Sequence, residues 1–423
     1  MATQKWDIIV VGGGSSGLMC AISAVKAGKR VLILEKMPQL GLKLRISGQG
    51  RANIGNTAEL KRFLEHCGTD FRFLYPSFHT FFTQELIALL SELGVQTKEE
   101  RGGRLFPQSE KAQDVFLALV RYLEASEHCT IMKNQRVQSV ICEGERAVGV
   151  RTEKEEFYGT SIVLATGGLS YPRTGSTGDG LLICEDLSFD IETPVPALVG
   201  FKCRFPNSEW RFDESFVAKN ANVMVIDANQ KKIAEAFGEI EFTSFGVAGA
   251  TILTLSRQIA RRVAAKEPLR LVIDLKPSVE AKKLDVELIE AISKVSSKYN
   301  KITFKSVSSA VRSALPQPLV DLCLAYAEID SRKSCAQITS EARKAILRSI
   351  KSLTLTIETT EGWERAVITR GGVSLSEVNP KTLESKKKKG LYLCGELLDL
   401  DADTGGYNLQ IAFSTGWLAG QNA

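Results

Sequence analysis

Histidine is scarce in this chain: three residues among 423, at His66, His79 and His128, each far from the others. The nine cysteines are odd in number and scattered, with no Cys-x-x-Cys pair. These absences leave no His/Cys constellation with metal-ligand spacing, so no metal is expected, and the thiols read as reduced and packed like small hydrophobes. No run approaches the roughly 20 apolar residues of a membrane-spanning helix. The opening MATQKWDIIVVGGG contains an apolar run too short for the core of a secretory signal, which makes the cytoplasm the expected compartment. A large excess of either charge is missing too. The formal charge of +5 demands no nucleic-acid partner. The densest basic run, Lys386 to Lys389, falls between a turn and the strand-like Leu391-Tyr392-Leu393 and reads as a solvated loop.

What is present is the composition of a folded enzyme, with 44% hydrophobic and 24% charged residues. At 423 residues the chain exceeds one typical domain. Residues Asp7 to Val11 read as a buried strand, Leu18 to Lys29 as a helix ending at Gly28, and Val31 to Leu34 as a second buried strand that terminates at Glu35. Between strand and helix lies Gly12-x-Gly14-x-x-Gly17, completing a dinucleotide-binding βαβ unit. Gly12 permits the tight turn, Gly14 lets the backbone approach a pyrophosphate, and Gly17 lets helix and strand pack closely. The free N–H groups at the helix start face the phosphates. Glu35 can accept hydrogen bonds from ribose hydroxyls and disfavours a 2′-phosphate, so FAD and NAD both fit this loop better than NADP.

Two later segments argue for a flavin. Ser161 to Ala165 is a buried strand running into Thr166-Gly167-Gly168, and Leu391-Tyr392-Leu393 runs into Gly395-Glu396, whose acid suits ribityl hydroxyls. Gly405-Gly406-Tyr407-Asn408 then precedes a helix-like stretch from Leu409 to about Leu418. A helix N-terminus beside flavin N1 and the C2 carbonyl would stabilise the charge that develops on reduction.

The N-terminal loop, ISGQGRANIGN (46–56), GGRLFPQSEKAQDV (102–115), ATGGLSYPRTGSTGDG (165–180), ITRGGVSLSEVNPKTLESK and GELLDLDADTGGYNLQIAFSTGWLAG closely resemble the BaiN-like family of FAD-dependent oxidoreductases, also labelled NAD(P)/FAD-dependent or aminoacetone-oxidase-family proteins. The resemblance spans essentially the whole chain. It implies FAD contacts at Gly12, Gly14, Ser15, Ser16 and Gly17, at Glu35 and Lys36, and at Lys43, Ser47, Gly48, Gly50, Arg51 and Asn53. Further contacts are implied at Val137, Thr166, Gly167, Gly395, Glu396, Gly406, Tyr407, Asn408 and Leu409. Arg104, Tyr171 and Arg173 lie in matching loops and carry groups able to polarise a carbonyl or donate a proton, which makes them the catalytic candidates. The chain departs from the family pattern in two places. Where Ser-Gly-Gly-Gly-Arg-Cys-Asn is usual it has Gln49 and Ala52, and where Phe-Thr-His-x-Gly-x-Ser-Gly-Pro is usual it has Ser244 and Ala250.

Between residues 195 and 360 the pattern changes to short β-rich runs (Val199 to Phe205, Asn222 to Ile226, Leu269 to Leu275), then to helical periodicity from Lys276 to about Ser352, then to a strand at Leu353 to Thr359. The fold expected is α/β: a Rossmann-type, glutathione-reductase-like FAD-binding domain (1–195 plus 360–423) interrupted by a β-rich domain (196–275 plus 353–359) that carries a helical subdomain (276–352). An insert over the flavin would shape a cleft for a small-molecule substrate. The leading function is hydride transfer between flavin N5 and a small organic substrate, including reduction of a C=C bond conjugated to a carbonyl. NAD(P)H would then be a transient electron donor, because no second complete Gly-x-Gly-x-x-Gly unit follows. An amine oxidase using oxygen, and an RNA-modifying or non-redox FAD-binding protein, are the alternatives. The last ranks lowest, for want of a stripe of interleaved basic and aromatic residues.

Overall fold

The computed structural model describes residues 5–68, 71–205, 215–297 and 306–423. The chain divides into two compact units, Met1–Pro196 with Trp363–Ala423, and Ala197–Gly362.

In the first unit, β1 (Lys5–Val11), α1 (Ser15–Lys26) and β2 (Val31–Glu35) form the nucleotide-binding crossover. β1 and β2 pair in parallel, with Ile8 opposite Val31 and Val11 opposite Leu34. Ile8, Ile9, Val10, Leu32 and Ile33 are fully buried, so both faces of these strands are covered. That is why their sequence runs continuously apolar instead of alternating. Cys129–Lys133 pairs beyond β2, Glu156–Leu164 pairs in parallel with the other side of β1, and Arg146–Thr152 and Val137–Glu143 extend the sheet antiparallel. Leu391–Leu393 pairs in parallel with the C-terminal half of Glu156–Leu164, which places a strand from near the end of the sequence two positions from β1.

The C-terminal helix Tyr407–Asn422 packs against α1 backbone to backbone. A Cβ at Gly416 would lie 2.1 Å from the Ser16 carbonyl oxygen, and one at Gly420 would lie 2.2 Å from that of Cys20. Both separations are far below contact, so only hydrogen fits. The Gly395 N–H, just after Leu391–Leu393, donates to Thr415 Oγ1 at 3.0 Å and ties strand end to helix.

The second unit is a closed barrel of six strands in the order Phe201–Arg204, Gly246–Ala248, Lys232–Thr243, Phe216–Ile226, Arg270–Asp274, Leu353–Thr360. Its alternating residues Val223, Val225, Ile240, Phe242, Leu271, Ile273 and Leu355 are buried in a separate core. Ala250–Ala264, Ala281–Ser297, Gln317–Tyr326 and Ser340–Lys351 are its longer helices. Residues 206–214 and 298–305, within the segments read as β-rich and helical, lie outside the described residues. The architecture is thus a Rossmann-type α/β domain with an inserted β-barrel and helices.

The lysine run is a loop whose ammonium groups have work inside the fold. Lys386 Nζ donates to the Ser376 carbonyl at 2.8 Å, Lys387 Nζ to the Ser188 carbonyl at 2.7 Å and Lys388 Nζ to the Gly144 carbonyl at 3.2 Å. Among the described residues no helix is long and apolar enough to cross a membrane.

Gly416→Val should force α1 and the C-terminal helix apart. A loss of about 1–3 kcal/mol or more is expected for such overpacking. Thermal unfolding reads it, and an unchanged midpoint would show that the contact is not a constraint.

Candidate cofactor site

At the N-terminal loop Gly12 has φ 104°, and a Cβ there would lie 2.6 Å from the Ala165 carbonyl oxygen, where the next strand ends. Gly17 faces the Gly12 carbonyl so closely that a Cβ would sit 1.9 Å from it. Gly14 is different, because its missing Cβ points into open space. The first turn of α1 carries no acidic residue and no side-chain cap, so its N–H groups remain available to an anion. Glu35 is 9% exposed, with Oε2 accepting the Gly13 N–H and Oε1 the Met37 N–H, each at 2.8 Å. Burial pushes its carboxyl above the ordinary value, against the lowering effect of those bonds and of Lys36. Each oxygen keeps a lone pair for a ribose hydroxyl. An uncapped helix start, an open Gly14 and a fixed acid suit the pyrophosphate and ribose of a dinucleotide.

Beside Glu35, Lys36 Nζ bonds Asp179 Oδ2 at 3.0 Å and also reaches Thr177 Oγ1. Arg136 grips the same carboxylate through Nε and Nη2 at 3.0 and 3.1 Å. Burial alone would push the Asp179 carboxyl up. The bonds from Arg136, Lys36 and Thr177 outweigh it and hold the group below its ordinary value. Lys36 and the start of the Val137–Glu143 strand are thereby joined through a residue that sequence reasoning did not single out. Thr166, at the end of Glu156–Leu164, has a buried Oγ1 with no hydrogen-bond partner, and Gly167 beside it has φ 73°.

The C-terminal segments form a second polar cluster. Glu396 Oε2 accepts from Lys43 Nζ at 2.6 Å, while Oε1 accepts from the Thr369 N–H at 2.7 Å and from Ser170 Oγ at 2.8 Å. Lys43 Nζ also bonds Ser170 Oγ, and the Leu169 N–H donates to Thr369 Oγ1 at 2.7 Å. Both oxygens of Glu396 are therefore engaged within the protein, and Lys43 is fixed by them. Ser170 and Thr369 were missed as site residues, although both lie in blocks that carry the family resemblance.

Gly406 caps the C-terminal helix with φ 96°, where a Cβ would lie 2.0 Å from the Gly55 carbonyl oxygen. Asn53, in the orientation its neighbours require, accepts the Gly406 N–H at 3.1 Å and donates to the carbonyls of Gly55 and Leu105 at 3.0 and 3.2 Å. The Asn408 side chain accepts the Ala402 N–H and donates to the Ala402 carbonyl, at 2.9 and 2.8 Å. Tyr407 stacks on His66 at 4.5 Å, and Leu409 is half-buried. Asn53 and Asn408 thus hold the turn into this helix. Ser47 Oγ donates to the Leu44 carbonyl at 2.6 Å, followed by Gly48 and Gly50 in left-handed backbone. Arg51 is held by Glu100 and Glu110.

The helix register sets the span of the site. Ser16 faces Gly416 and Cys20 faces Gly420, so α1 and the C-terminal helix run parallel. Tyr407 precedes Gly416 by nine residues. Ser16 is the second residue of α1, so at 1.5 Å per residue the C-terminal helix starts about 12 Å ahead of α1. That stagger suits an extended ligand with phosphates at the first helix start and a further ring at the second.

Of the catalytic candidates, Tyr171 and Arg173 lie in one loop beside Trp363 and Glu364, and Arg104 lies in the hairpin strand Arg104–Pro107. Tyr171, with φ 52°, donates its N–H to the Trp363 carbonyl at 3.0 Å and follows Ser170 of the Glu396 cluster. Arg173 has a side chain 90% exposed, 3.6 Å from Glu364. Arg104 bonds the Arg101 carbonyl at 3.1 Å and lies 5.8 Å from the Phe106 ring centre.

The fold is that of a Rossmann-type nucleotide-binding protein. The chain belongs to the family described as HI0933-like protein Rossmann domain, whose model matches residues 6–422. It is 30% identical over 417 residues to the 3-dehydro-bile acid delta(4,6)-reductase of Clostridium scindens, covering 98% of each chain. It is 27% identical over 428 residues to the ribosomal RNA dihydrouridine synthase of Escherichia coli, covering 99% of this chain and 98% of that one. In fold it is similar to the 3-ketosteroid-delta4-(5alpha)-dehydrogenase of Rhodococcus jostii RHA1, with TM-score 0.53 and 16% identity over 100% of this chain and 97% of that one. The protein is an FAD-dependent oxidoreductase.

Gly14→Val combined with Glu35→Ala should abolish the yellow colour of the purified protein; bound flavin surviving both changes would place the cofactor elsewhere. A second expectation concerns pH. Because the Asp179 carboxyl is held below its ordinary 3.8, its stabilising contribution is present above that pH and lost as pH falls through the lower folded-state value. Asp179→Asn should therefore flatten part of the acid limb of thermal stability, and an identical limb would deny the cluster any weight.

Proposed function

We propose that this enzyme reduces a carbon–carbon double bond conjugated to a carbonyl in a small organic substrate, with NAD(P)H as transient electron donor. The observation that carries this reading is the likeness, over 98% of both chains, to a protein named as a delta(4,6)-reductase of a 3-dehydro-bile acid. FAD, when bound, supplies the hydride chemistry at N5. The residues of α1's start and Glu35 would hold the pyrophosphate and ribose. Lys43, fixed by Glu396 and Ser170, would present one immobile positive charge, and such preorganised charge acts without reorganisation as negative charge develops. Tyr171, next in sequence to Ser170, ranks ahead of Arg104 and Arg173 as proton donor. Both arginines are spread over exposed ion pairs instead. NAD(P)H as a transient donor fits the absence of a second complete Gly-x-Gly-x-x-Gly loop in the sequence.

A second reading concerns the substrate only. Full-length relatives named ribosomal RNA dihydrouridine synthase favour a uracil base, whose C5–C6 double bond is also conjugated to a carbonyl. The excess positive charge of the sequence falls on the inserted unit, which suits a polyanionic substrate. The chemistry is the same in both cases.

The test is anaerobic. Flavin reduced by NADH or NADPH is mixed with a panel of cyclic dienones and enones, and separately with uridine-containing ribosomal RNA, and its reoxidation is followed by absorbance. Rapid reoxidation with loss of one carbon–carbon double bond from the ketone supports the first reading. RNA gaining two hydrogens at a uracil supports the second. Reoxidation by neither, together with peroxide formation from amines in a separate aerobic assay, would overturn the proposed reaction class.

A further inference from the structure

The segment between the helix Leu42–Ile46 and Asn53 has an unusual backbone. Gly48, Gln49, Gly50 and Ala52 have φ of 56°, 58°, 84° and 56°. Glycine takes the left-handed region freely, whereas Gln and Ala are strained there. Position 49 is where the family pattern has glycine, and this chain has Gln49 with an exposed side chain. Within the turn, the Ala52 N–H reaches the Ser47 carbonyl at 3.0 Å and the Arg51 N–H reaches the Gly48 carbonyl at 3.1 Å. Strained residues of this kind persist only where surrounding contacts over-determine them.

Those contacts come from Arg51. Its Nη2 bonds Glu100 Oε1 at 2.5 Å, its Nε bonds Glu110 Oε2 at 3.1 Å, and its guanidinium lies 4.4 Å from the centre of the Phe106 ring. Glu100 and Phe106 belong to the hairpin strands Thr97–Glu100 and Arg104–Pro107, which pair antiparallel, with Glu100 opposite Arg104. The anchor is itself braced. Lys98 Nζ bonds Glu110, and Arg104 approaches Glu100 to 3.8 Å. The carboxyl of Glu110 is held below its ordinary value, first by Lys98 and then by Arg51. A guanidinium stacked on a ring and forked between two carboxylates is committed on several sides, as a latch is. A group awaiting phosphate would be better served without two acids beside it.

We propose that Arg51 is a positioning residue: anchored to Glu100, Glu110 and Phe106, it holds the left-handed turn 48–52 in its FAD-binding conformation and does not itself grip the cofactor. The proposal rests on FAD being the cofactor, and its logic is a population argument. When part of the protein leaves the binding-competent conformation, apparent affinity falls by the competent fraction, and because the same opening of the holoprotein lets FAD leave, release quickens as the opened fraction grows. Gln49→Gly removes strain from the competent turn, so it should compensate for loss of the latch.

The readout is release of FAD from the full-length holoprotein after dilution, followed by the fluorescence of free flavin. Arg51→Gln and Glu110→Gln should each speed release about tenfold, and adding Gln49→Gly to either should bring it back to within about threefold of the unsubstituted protein. Gln49→Gly alone should leave release unchanged or slower. A direct phosphate contact predicts a different pattern. In that case Arg51→Gln speeds release by the same factor with or without Gln49→Gly, while Glu110→Gln slows it or leaves it unchanged. That pattern, or unaltered release in Arg51→Gln, overturns the proposal. If Arg51→Gln does not fold, the Glu110→Gln variants with and without Gln49→Gly decide the question by the same criterion.

Discussion

The candidate cofactor site depends on how closely two helices from opposite ends of the chain approach. Helices that pack through ordinary side chains keep their axes about 8–10 Å apart. Here Gly416 and Gly420 present bare backbone to the carbonyl oxygens of Ser16 and Cys20, and a methyl group at either position has no room. The contact also fixes a parallel register, and the register fixes the stagger between the helix starts. An extended dinucleotide suits such a stagger. Under the proposed reading, the phosphates would meet α1 and the ring system would lie farther along, toward the Gly406 turn. Leu391–Leu393 pairing with Glu156–Leu164, and Gly395 bonding Thr415, lock the same arrangement from the sheet side.

Around that frame the charged groups are arranged in closed clusters. Glu35 uses one lone pair on each oxygen for backbone N–H groups and keeps the others. Asp179 joins Lys36 to Arg136, Glu396 joins Lys43 to Ser170 and Thr369, and Glu100 and Glu110 share Arg51. In each case a carboxylate fixes a cation that the family resemblance assigns to the cofactor, or a residue beside one. The protein thus supplies fixed charge in advance, and the redox chemistry belongs to the flavin.

Much of this was legible from sequence where the constraint was local. The strand–turn–helix–strand unit ending in Glu35 is readable because its turn, helix start and acid follow one another within a single short crossover, although only Gly17 answers to a near neighbour, Gly12, while Gly12 makes room for Ala165 and Gly14 faces open space. The Gly395-Glu396 and Gly405-Gly406 turns could be seen as backbone features. Their partners could not, because Lys43 and Glu396 are 353 residues apart in sequence, and Lys36 and Asp179 are 143 apart. Alternation in Asn222 to Ile226 and Leu269 to Leu275 indicated strands, but nothing in an alternating pattern states that six strands close into a barrel. The lysine run illustrates the reverse case. A run of like charge looks solvated in sequence, yet three of its ammonium groups bond backbone carbonyls of Gly144, Ser188 and Ser376. Gly416 and Gly420 gave no signal at all within a helix, because their meaning lies in α1.

The central claim is that one FAD spans both ends of the chain. Backbone hydrogen exchange with and without FAD tests it most directly. The account predicts that FAD slows exchange both in residues 12–17 and in residues 405–409, the two helix starts. Protection confined to residues 12–17, with residues 405–409 exchanging as they do without cofactor, would contradict it.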